Sequence, residues 1–226
     1  MQAGIPPNGI FTRGRIVAAL VAFSVSATFA LLYGVTAFNE SPGGAGIAAQ
    51  HWPAASALAR HGNEAELLVF THPLCSCTNA TIAELARFQQ RLQGIKAPAM
   101  TFVVYRPKES RGWEGKSLLS KMAELPGARL FWDDGGREAD RFGAVTSGDV
   151  FLYNPSGELV FHGGVTASRG HEGDNYGLDG LLTAMQSGKR RTSPVFGCGL
   201  TSWEGPVEFN AAGKIGITPR GPGRPM

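Results

Sequence analysis

The chain has 226 residues, of which 43% are hydrophobic and 17% charged, so it can bury one sizeable core with additions at its ends. Its formal net charge of +3 comes from the termini, since residues 41–188 hold 13 Lys and Arg against 15 Asp and Glu. A near-neutral body excludes nucleic-acid binding through overall charge, and three cysteines are too few for a disulfide scaffold.

An uncharged run of 23 residues, Ile16 to Phe38, lies near the N-terminus. At about 1.5 Å per residue, a helix of this length spans a hydrocarbon core of roughly 30 Å. Arg13 and Arg15 precede the run and Glu40 follows it, so the positive-inside rule places the N-terminus in the cytoplasm. The sequence therefore predicts a single-pass protein of a bacterial cytoplasmic membrane, with its C-terminal domain facing the periplasm or the cell exterior. The alternative is a cleaved signal peptide that ends near Val35-Thr36-Ala37.

Composition divides the chain into four parts. Residues 1–38 form a cytoplasmic stub and the transmembrane anchor, and residues 39–53, rich in Gly, Ala and Ser, are predicted to be a linker. Residues 54–188 are predicted to form the folded domain. Residues 189–226 form a basic tail rich in Gly and Pro that contains Cys198.

Within the folded domain, apolar runs and turn signals predict strands and helices in alternation. The predicted strands are Leu67–Phe70, Met100–Tyr105, Ala128–Trp132, Val150–Tyr153 and Glu158–His162, and the predicted helices are Thr81–Leu92, Trp113–Leu125, Gly136–Phe142 and Asn175–Met185. Strands separated by helices favour right-handed crossovers and a mainly parallel centre. The turn Asn154-Pro155-Ser156-Gly157 makes the last two strands an antiparallel hairpin at the edge. The fold class is therefore α/β, with a central mixed sheet flanked by helices.

Two cysteines lie where the first predicted strand gives way to the first helix. His72-Pro73 ends the apolar run, and Thr81 followed by Glu84 fits a capping box. Cys75 and Cys77 are therefore expected at or just before a helix N-terminus, where unpaired backbone N–H groups and the helix dipole favour a thiolate. Because the thiolate is the species that attacks a disulfide or binds a soft metal ion, this placement favours thiol chemistry.

Three segments read VFTHPLCSCTNATIAEL, FWDDGGREADRFGAVTSG and VFLYNPSGELVFHGG. In them the chain resembles the thioredoxin-like superfamily, in particular its exported, membrane-tethered TlpA and peroxiredoxin-like branch, over about residues 54–186. The segments SRGHEGDNYG and VFGCGL are also similar to an uncommon subgroup labelled RedB. The resemblance implies a thioredoxin-like fold and a thiol-disulfide oxidoreductase. Its partners would be protein or small-molecule thiols and disulfides, and no cofactor is expected.

The chain departs from that family's pattern at two places. The family has two residues between its active-site cysteines, whereas only Ser76 separates Cys75 from Cys77. The family also has a cis-proline before the fourth strand, facing the cysteines, and the matching positions here are Ser147-Gly148-Asp149, without proline. Because glycine does not preset its backbone angles as proline does, substrate docking is expected to differ from that of ordinary thioredoxins.

In the redox interpretation, Cys75 is the exposed nucleophile, and Cys77 releases the mixed disulfide by closing an internal bridge. One intervening residue makes that bridge a small, strained ring, so the couple is expected to be comparatively oxidising or isomerase-like. Cys198 is either a third redox partner that returns to the pair or a spare thiol in a surface loop. A redox-silent interaction module, with both cysteines as small buried hydrophobes, is a further alternative.

Two polar segments are candidates for the substrate side of the site. Ser147, Gly148 and Asp149 match the family positions that face the cysteines. His171 and Glu172 belong to a polar, glycine-containing segment that follows the fifth strand. The alternative for the second segment is a solvated connection that caps the last helix.

A copper-binding delivery protein is the alternative from a different functional class. His72, Cys75 and Cys77 lie within six residues, and two thiolates with an imidazole suit a soft ion such as Cu(I). Sco-type copper chaperones are also thioredoxin-like and exported, and they use a distant histidine as a further ligand. In this chain His162 or His171 would take that part.

Overall fold

The structure is a computed structural model, and it describes residues 8–92, 94–106, 116–201, 208–209 and 215–216. Contacts divide the chain into two compact units, Met1–Ser41 and Pro42–Met226. Helix α1, Asn8–Glu40, dominates the first unit. Within the described residues, its segment Arg13–Glu40 is the one helix long and apolar enough to cross a membrane. This N-terminal apolar helix is a signal sequence or a membrane anchor.

In the second unit, strands and helices follow the predicted order. The strands are β1 (Glu66–Thr71), β2 (Ala99–Arg106), β3 (Ala128–Asp134), β4 (Asp149–Tyr153), β5 (Leu159–Gly163), β6 (Arg191–Thr192), β7 (Glu208–Phe209) and β8 (Ile215–Gly216), and the helices are α2 (Thr78–Arg91), α3 (Lys116–Glu124), α4 (Arg137–Phe142) and α5 (Tyr176–Ser187). The predicted start of the second helix, at Trp113, lies outside the described residues. Strand β6 and the β7–β8 pair had no predicted counterpart.

Six strands form one mixed sheet, in the order β3-β2-β1-β4-β5-β6. Strands β1, β2 and β3 are parallel, β4 is antiparallel to both β1 and β5, and β6 is parallel to β5. The predicted mixed sheet flanked by helices is confirmed. The hairpin is less peripheral than expected, because β4 pairs with β1 in the interior of the sheet and every residue of β4 is buried.

Strand β1 is buried on both faces, which positions the turn that follows it. Leu67 and Val69 pack with apolar residues of α2, α3 and α5, whereas Leu68 and Phe70 pack on the α4 side of the sheet. A strand buried on both faces reads as a continuous apolar run, which explains why this one was recognisable in the sequence. Its carboxyl end delivers the cysteine-containing turn to the edge of the core.

The folded unit extends beyond the predicted domain on its N-terminal side. The backbone N–H of Ala49 donates to the Phe142 carbonyl at 3.0 Å, and the Ala49 carbonyl accepts a hydrogen bond from the Tyr153 hydroxyl at 2.7 Å. A Cβ added at Gly46 would lie 1.8 Å from a neighbouring backbone carbonyl oxygen. The linker prediction is therefore wrong for residues 42–53, because the small residues that favour a flexible linker here permit close packing instead.

The unit also extends on its C-terminal side. After β6 joins the sheet, the chain returns to the loop that precedes β4, where the Leu200 N–H donates to the Val145 carbonyl at 2.9 Å. Val195, Phe196 and Leu200 are all buried. The prediction of a tail from residue 189 is therefore wrong up to residue 200, since a few scattered apolar residues produce no periodic pattern. The last predicted tail residues, 217–226, lie outside the described ones.

Candidate functional site

The candidate site begins in the turn between β1 and α2. The Cys75 N–H donates to the His72 carbonyl at 3.0 Å, and the Thr78 N–H donates to the Cys75 carbonyl at 3.1 Å. Cys77 has right-handed helical angles, φ −62° and ψ −25°, and is the N-cap residue of α2. Both cysteines thus lie at the start of this helix, where the positive end of its dipole favours negative charge.

The predicted capping box is wrong. Helix α2 begins at Thr78, so Thr81 and Glu84 lie inside it, and Cys77 makes no side-chain capping hydrogen bond. A side-chain cap is unnecessary because the first N–H groups of the helix donate to carbonyls of the preceding turn. Glu84 is instead fully buried, and its carboxylate accepts a hydrogen bond from the Gly173 N–H at 2.7 Å.

The Cys75 sulfur is surrounded by hydrogen-bond donors. Next to it lie the backbone N–H and the thiol of Cys198 and the hydroxyls of Ser147 and Thr78, all of which are groups that can donate a hydrogen bond to sulfur. Burial acts to raise the pKa of the Cys75 thiol, but these donors outweigh burial and lower the pKa below its ordinary value. The donor set therefore stabilises the thiolate of Cys75.

The pKa values of the other two thiols are raised rather than lowered. Burial, followed by the negative charge of Cys75, raises the pKa of Cys77, and the same causes raise the pKa of Cys198 to about 12. Both thiols lie near enough to Cys75 for its charge to act on them. The three cysteines thus form one cluster in which Cys75 is the most readily ionised.

The predicted exposure of the cysteines is reversed. Cys75 was expected to be the exposed thiol but is only 2% exposed, whereas Cys77 and Cys198 are half-buried. The cause is tertiary, because the segment that carries Cys198 and the loop that carries Ser147 pack against Cys75.

Ser147 connects the parts of the site. Its N–H donates to the Cys198 carbonyl at 2.7 Å, and its hydroxyl oxygen accepts a hydrogen bond from the His72 N–H at 2.8 Å. The Ser147 hydroxyl also lies 3.1 Å from that of Thr78. Gly148 follows with φ +92°, in the left-handed region that favours glycine, and its N–H donates to the last-but-one carbonyl of β1. The loop predicted for the substrate side therefore does lie beside the cysteines.

Asp149 and His162 form a pair on the α4 side of the sheet. Asp149 is 1% exposed, and the Nε2 atom of His162 lies 3.1 Å from its Oδ1 atom. Burial raises the pKa of Asp149, while the hydrogen bond and charge of His162 act in the opposite direction. The His162 ring also packs on Phe151, with 4.6 Å between ring centroids.

His72 is buried beneath the turn. It is 1% exposed and stacks on Tyr105, with 5.7 Å between ring centroids. Its Nδ1 atom accepts a hydrogen bond from the Leu74 N–H at 3.2 Å. Burial lowers the pKa of His72 to about 4, so the ring is neutral at physiological pH and supports the turn.

Arg169 is the site residue that the sequence interpretation missed. His171 and Glu172 are exposed, and Glu172 lies 4.0 Å from Arg87 of helix α2. Arg169, from the same segment, is half-buried; its guanidinium donates to the Gly197 carbonyl, and its charge opposes the raised pKa values of both Cys77 and Cys198. The sequence contained one signal for this residue, since Arg169 is the only Lys or Arg in the polar segment SRGHEGDNYG.

The proposed copper ligands do not form a metal site. Among the residues that the structure describes, no group of three or more His, Cys, Asp and Glu side chains is arranged to hold a metal ion. His162 is engaged by Asp149, His171 lies in an exposed stretch, and the Nδ1 atom of His72 accepts a backbone hydrogen bond.

Comparison with known proteins identifies the fold. No family model and no curated protein matches the chain. A solved, uncharacterized conserved protein from Geobacillus kaustophilus has 16% identity and a TM-score of 0.51, and the match covers 71% of this chain and 92% of that one. A hypothetical protein from Sinorhizobium meliloti has 20% identity and a TM-score of 0.47, with 71% and 94% covered.

Named proteins are among the further structural neighbours. A secreted disulfide oxidoreductase from Mycobacterium tuberculosis, homologous to DsbE of E. coli, has 15% identity and a TM-score of 0.36, with 56% of this chain and 83% of that chain covered. Sco proteins also occur among the neighbours. At these TM-scores the likeness carries no further conclusion. The order and directions of the strands give the chain a thioredoxin-like fold, and the resemblance found in the sequence is confirmed to that extent.

Proposed function

We propose that this chain is a thiol-disulfide oxidoreductase that acts outside the cytoplasm, with Cys75 as its nucleophile. One observation carries the proposal: Cys75 lies in the turn that leads into helix α2, where the donor groups of Cys198, Ser147 and Thr78 lower the pKa of its thiol against the effect of burial. A lowered pKa favours the thiolate, which is the form that attacks disulfides. A cysteine that served only as a small buried hydrophobe would need no such donors.

The reaction follows from this arrangement. The Cys75 thiolate attacks one sulfur of a substrate disulfide, forms a mixed disulfide and releases the other substrate sulfur as a thiolate. A second protein thiol then attacks Cys75 and frees the remaining half of the substrate. Because Cys75 is 2% exposed, the residues that cover it must open locally before a substrate can reach the sulfur.

The proposed location rests on the N-terminal segment. Ile16 to Phe38 carries no charge, lies within helix α1, and is preceded by Arg13 and Arg15. We assign it as a single membrane-spanning anchor that holds the thioredoxin-like unit on the periplasmic or outer side. The substrates are then protein or small-molecule thiols and disulfides of an oxidising compartment.

The test compares the full-length chain with Cys75→Ser and, as the matched control, Tyr176→Phe on the exposed start of α5. Each reduced protein is treated with glutathione disulfide at neutral pH, quenched in acid and mapped by peptide mass. The wild-type chain and the control should release glutathione and gain a disulfide, and Cys75→Ser should react at least about 100-fold more slowly. Equal reaction of Cys75→Ser and wild type would contradict the proposal. An unreactive wild type that binds stoichiometric Cu(I) through Cys75 and Cys77 would indicate copper delivery instead.

A further inference from the structure

Cys198 reaches the site through a segment far from the other cysteines in the sequence. An isolated antiparallel bridge joins Thr146 to Gly199, and the Cys198 carbonyl accepts a hydrogen bond from the Ser147 N–H at 2.7 Å. A Cβ added at Gly197 would lie 1.9 Å from the Ser147 carbonyl oxygen, so the close approach of the two backbones depends on glycine there. These contacts hold the Cys198 backbone in place beside Cys75.

We propose that Cys198, rather than Cys77, is the thiol that resolves the mixed disulfide on Cys75, so that the oxidised protein carries a Cys75–Cys198 bridge. The proposal rests on the thiol-disulfide function proposed above and assigns the second catalytic residue of that reaction.

Backbone geometry distinguishes the two resolving candidates. Ser147, whose N–H donates to the Cys198 carbonyl at 2.7 Å, also contacts His72 and Thr78 on either side of Cys75, so the Cys198 segment lies against the turn where the bridge would form. Cys77 shares a tight turn with Cys75, closed by the hydrogen bond from the Thr78 N–H to the Cys75 carbonyl. A bridge between residues only two apart closes a small, strained ring. The bridge to Cys198 leaves that turn intact.

The redox step balances with a substrate disulfide as the oxidant. In the first step, the Cys75 thiolate displaces one substrate thiolate and becomes joined to the other substrate sulfur. In the second step, Cys198 loses its proton and its sulfur attacks the Cys75 sulfur, which forms the protein bridge and breaks the bond to the substrate. The Cys75 thiolate and the Cys198 thiol lose two electrons in total, and the substrate disulfide gains them and leaves as one thiolate and one thiol, which carries the proton given up by Cys198.

Arg169 assists the second step. Its guanidinium donates to the carbonyl of Gly197, the residue next to Cys198, and its positive charge favours the Cys198 thiolate. The negative charge of Cys75, which opposes ionisation of Cys198, disappears once Cys75 is part of a mixed disulfide. Cys198 thus becomes easier to ionise when its attack is required.

The experiment uses the full-length chain with Cys77→Ser or Cys198→Ser, so that each variant retains Cys75 and one candidate partner. Each reduced protein receives one equivalent of glutathione disulfide. Samples are quenched in acid at a series of times, and their thiols, bridges and glutathione adducts are mapped by peptide mass. The expected result in Cys77→Ser is a Cys75–Cys198 bridge. In Cys198→Ser, the Cys75–glutathione adduct should survive at least about ten-fold longer than the same adduct in Cys77→Ser.

The outcomes separate this proposal from the one it rests on. If Cys77→Ser accumulates the Cys75–glutathione adduct and Cys198→Ser closes a bridge rapidly, Cys77 is the resolving thiol and the assignment of Cys198 is overturned, although the oxidoreductase function stands. If Cys75 takes up no glutathione in either variant or in the wild type, the oxidoreductase function itself fails. Because Cys77→Ser leaves the Cys198 segment unchanged, its result does not depend on how well Cys198→Ser folds.

Discussion

Replacing Thr78 with Val tests whether hydrogen bonds make Cys75 the reactive thiol. The substitution keeps a branched side chain at the first residue of α2 and removes a hydroxyl that lowers the pKa of the Cys75 thiol. The loss of this donor should raise the pKa of Cys75 relative to the wild-type protein.

The magnitude follows from the number and kind of donors. A hydrogen bond to a charged group contributes about 1.5–3 kcal/mol, and about 1.4 kcal/mol corresponds to a factor of ten in an equilibrium constant. The hydroxyl of Ser147, 3.1 Å from that of Thr78, remains as a donor and favours the lower end of this range. At a pH well below the midpoint of the titration, the thiolate fraction of Cys75 should therefore fall roughly ten-fold.

The assay is the rate of alkylation of Cys75 by iodoacetamide as a function of pH, read by peptide mass so that Cys77 and Cys198 are counted separately. Thr71→Val is the matched control. Thr71 is fully buried at the end of β1, and within the described residues its hydroxyl has no hydrogen-bond partner. This control should leave the titration of Cys75 unchanged and stabilise the protein by about 1 kcal/mol, since it removes an unsatisfied buried hydroxyl.

Both variants keep the residues that bury Cys75. The effect of burial on the alkylation rate therefore cancels when each variant is compared with the wild type. An unchanged pH profile in Thr78→Val would refute the reasoning, as would an equal shift in Thr71→Val. Either result would mean that the hydroxyl of Thr78 does not stabilise the Cys75 thiolate.

Two further predictions concern residues that support the site. Burial lowers the pKa of His72 to about 4, whereas the unfolded chain binds that proton near pH 6.5, so the free energy of unfolding should fall by roughly 3 kcal/mol as the pH drops from 6.5 to 4. In urea denaturation, His72→Asn should remove most of that fall, and an unchanged pH dependence in His72→Asn would contradict this. Glu84→Ala should lower the free energy of unfolding by about 2–3 kcal/mol, because it leaves the Gly173 N–H without its carboxylate acceptor. Exposed Glu124→Ala should change it by less than about 0.5 kcal/mol, and similar values for the two variants would count against a supporting role for Glu84.

The success of the fold prediction has a physical reason. The run Leu67–Phe70 is apolar because β1 is buried on both faces, and the turn Asn154-Pro155-Ser156-Gly157 marks the hairpin because its residue types suit a tight turn. Where composition alone guided the interpretation, it failed, as at residues 42–53, which are rich in small residues yet pack against the domain. Small residues serve both flexible linkers and close packing, and composition does not distinguish the two.

The sequence by itself determined the order of strands and helices, the apolar N-terminal helix, and the position of Cys75 and Cys77 at the start of a helix. Each of these is a property of neighbouring residues, so a local pattern records it. Only the tertiary structure decided which cysteine is buried and that Ser147 and Cys198 both lie beside it. Those contacts join residues far apart in the chain, and their geometry depends on how the loops pack against one another, which no local pattern encodes.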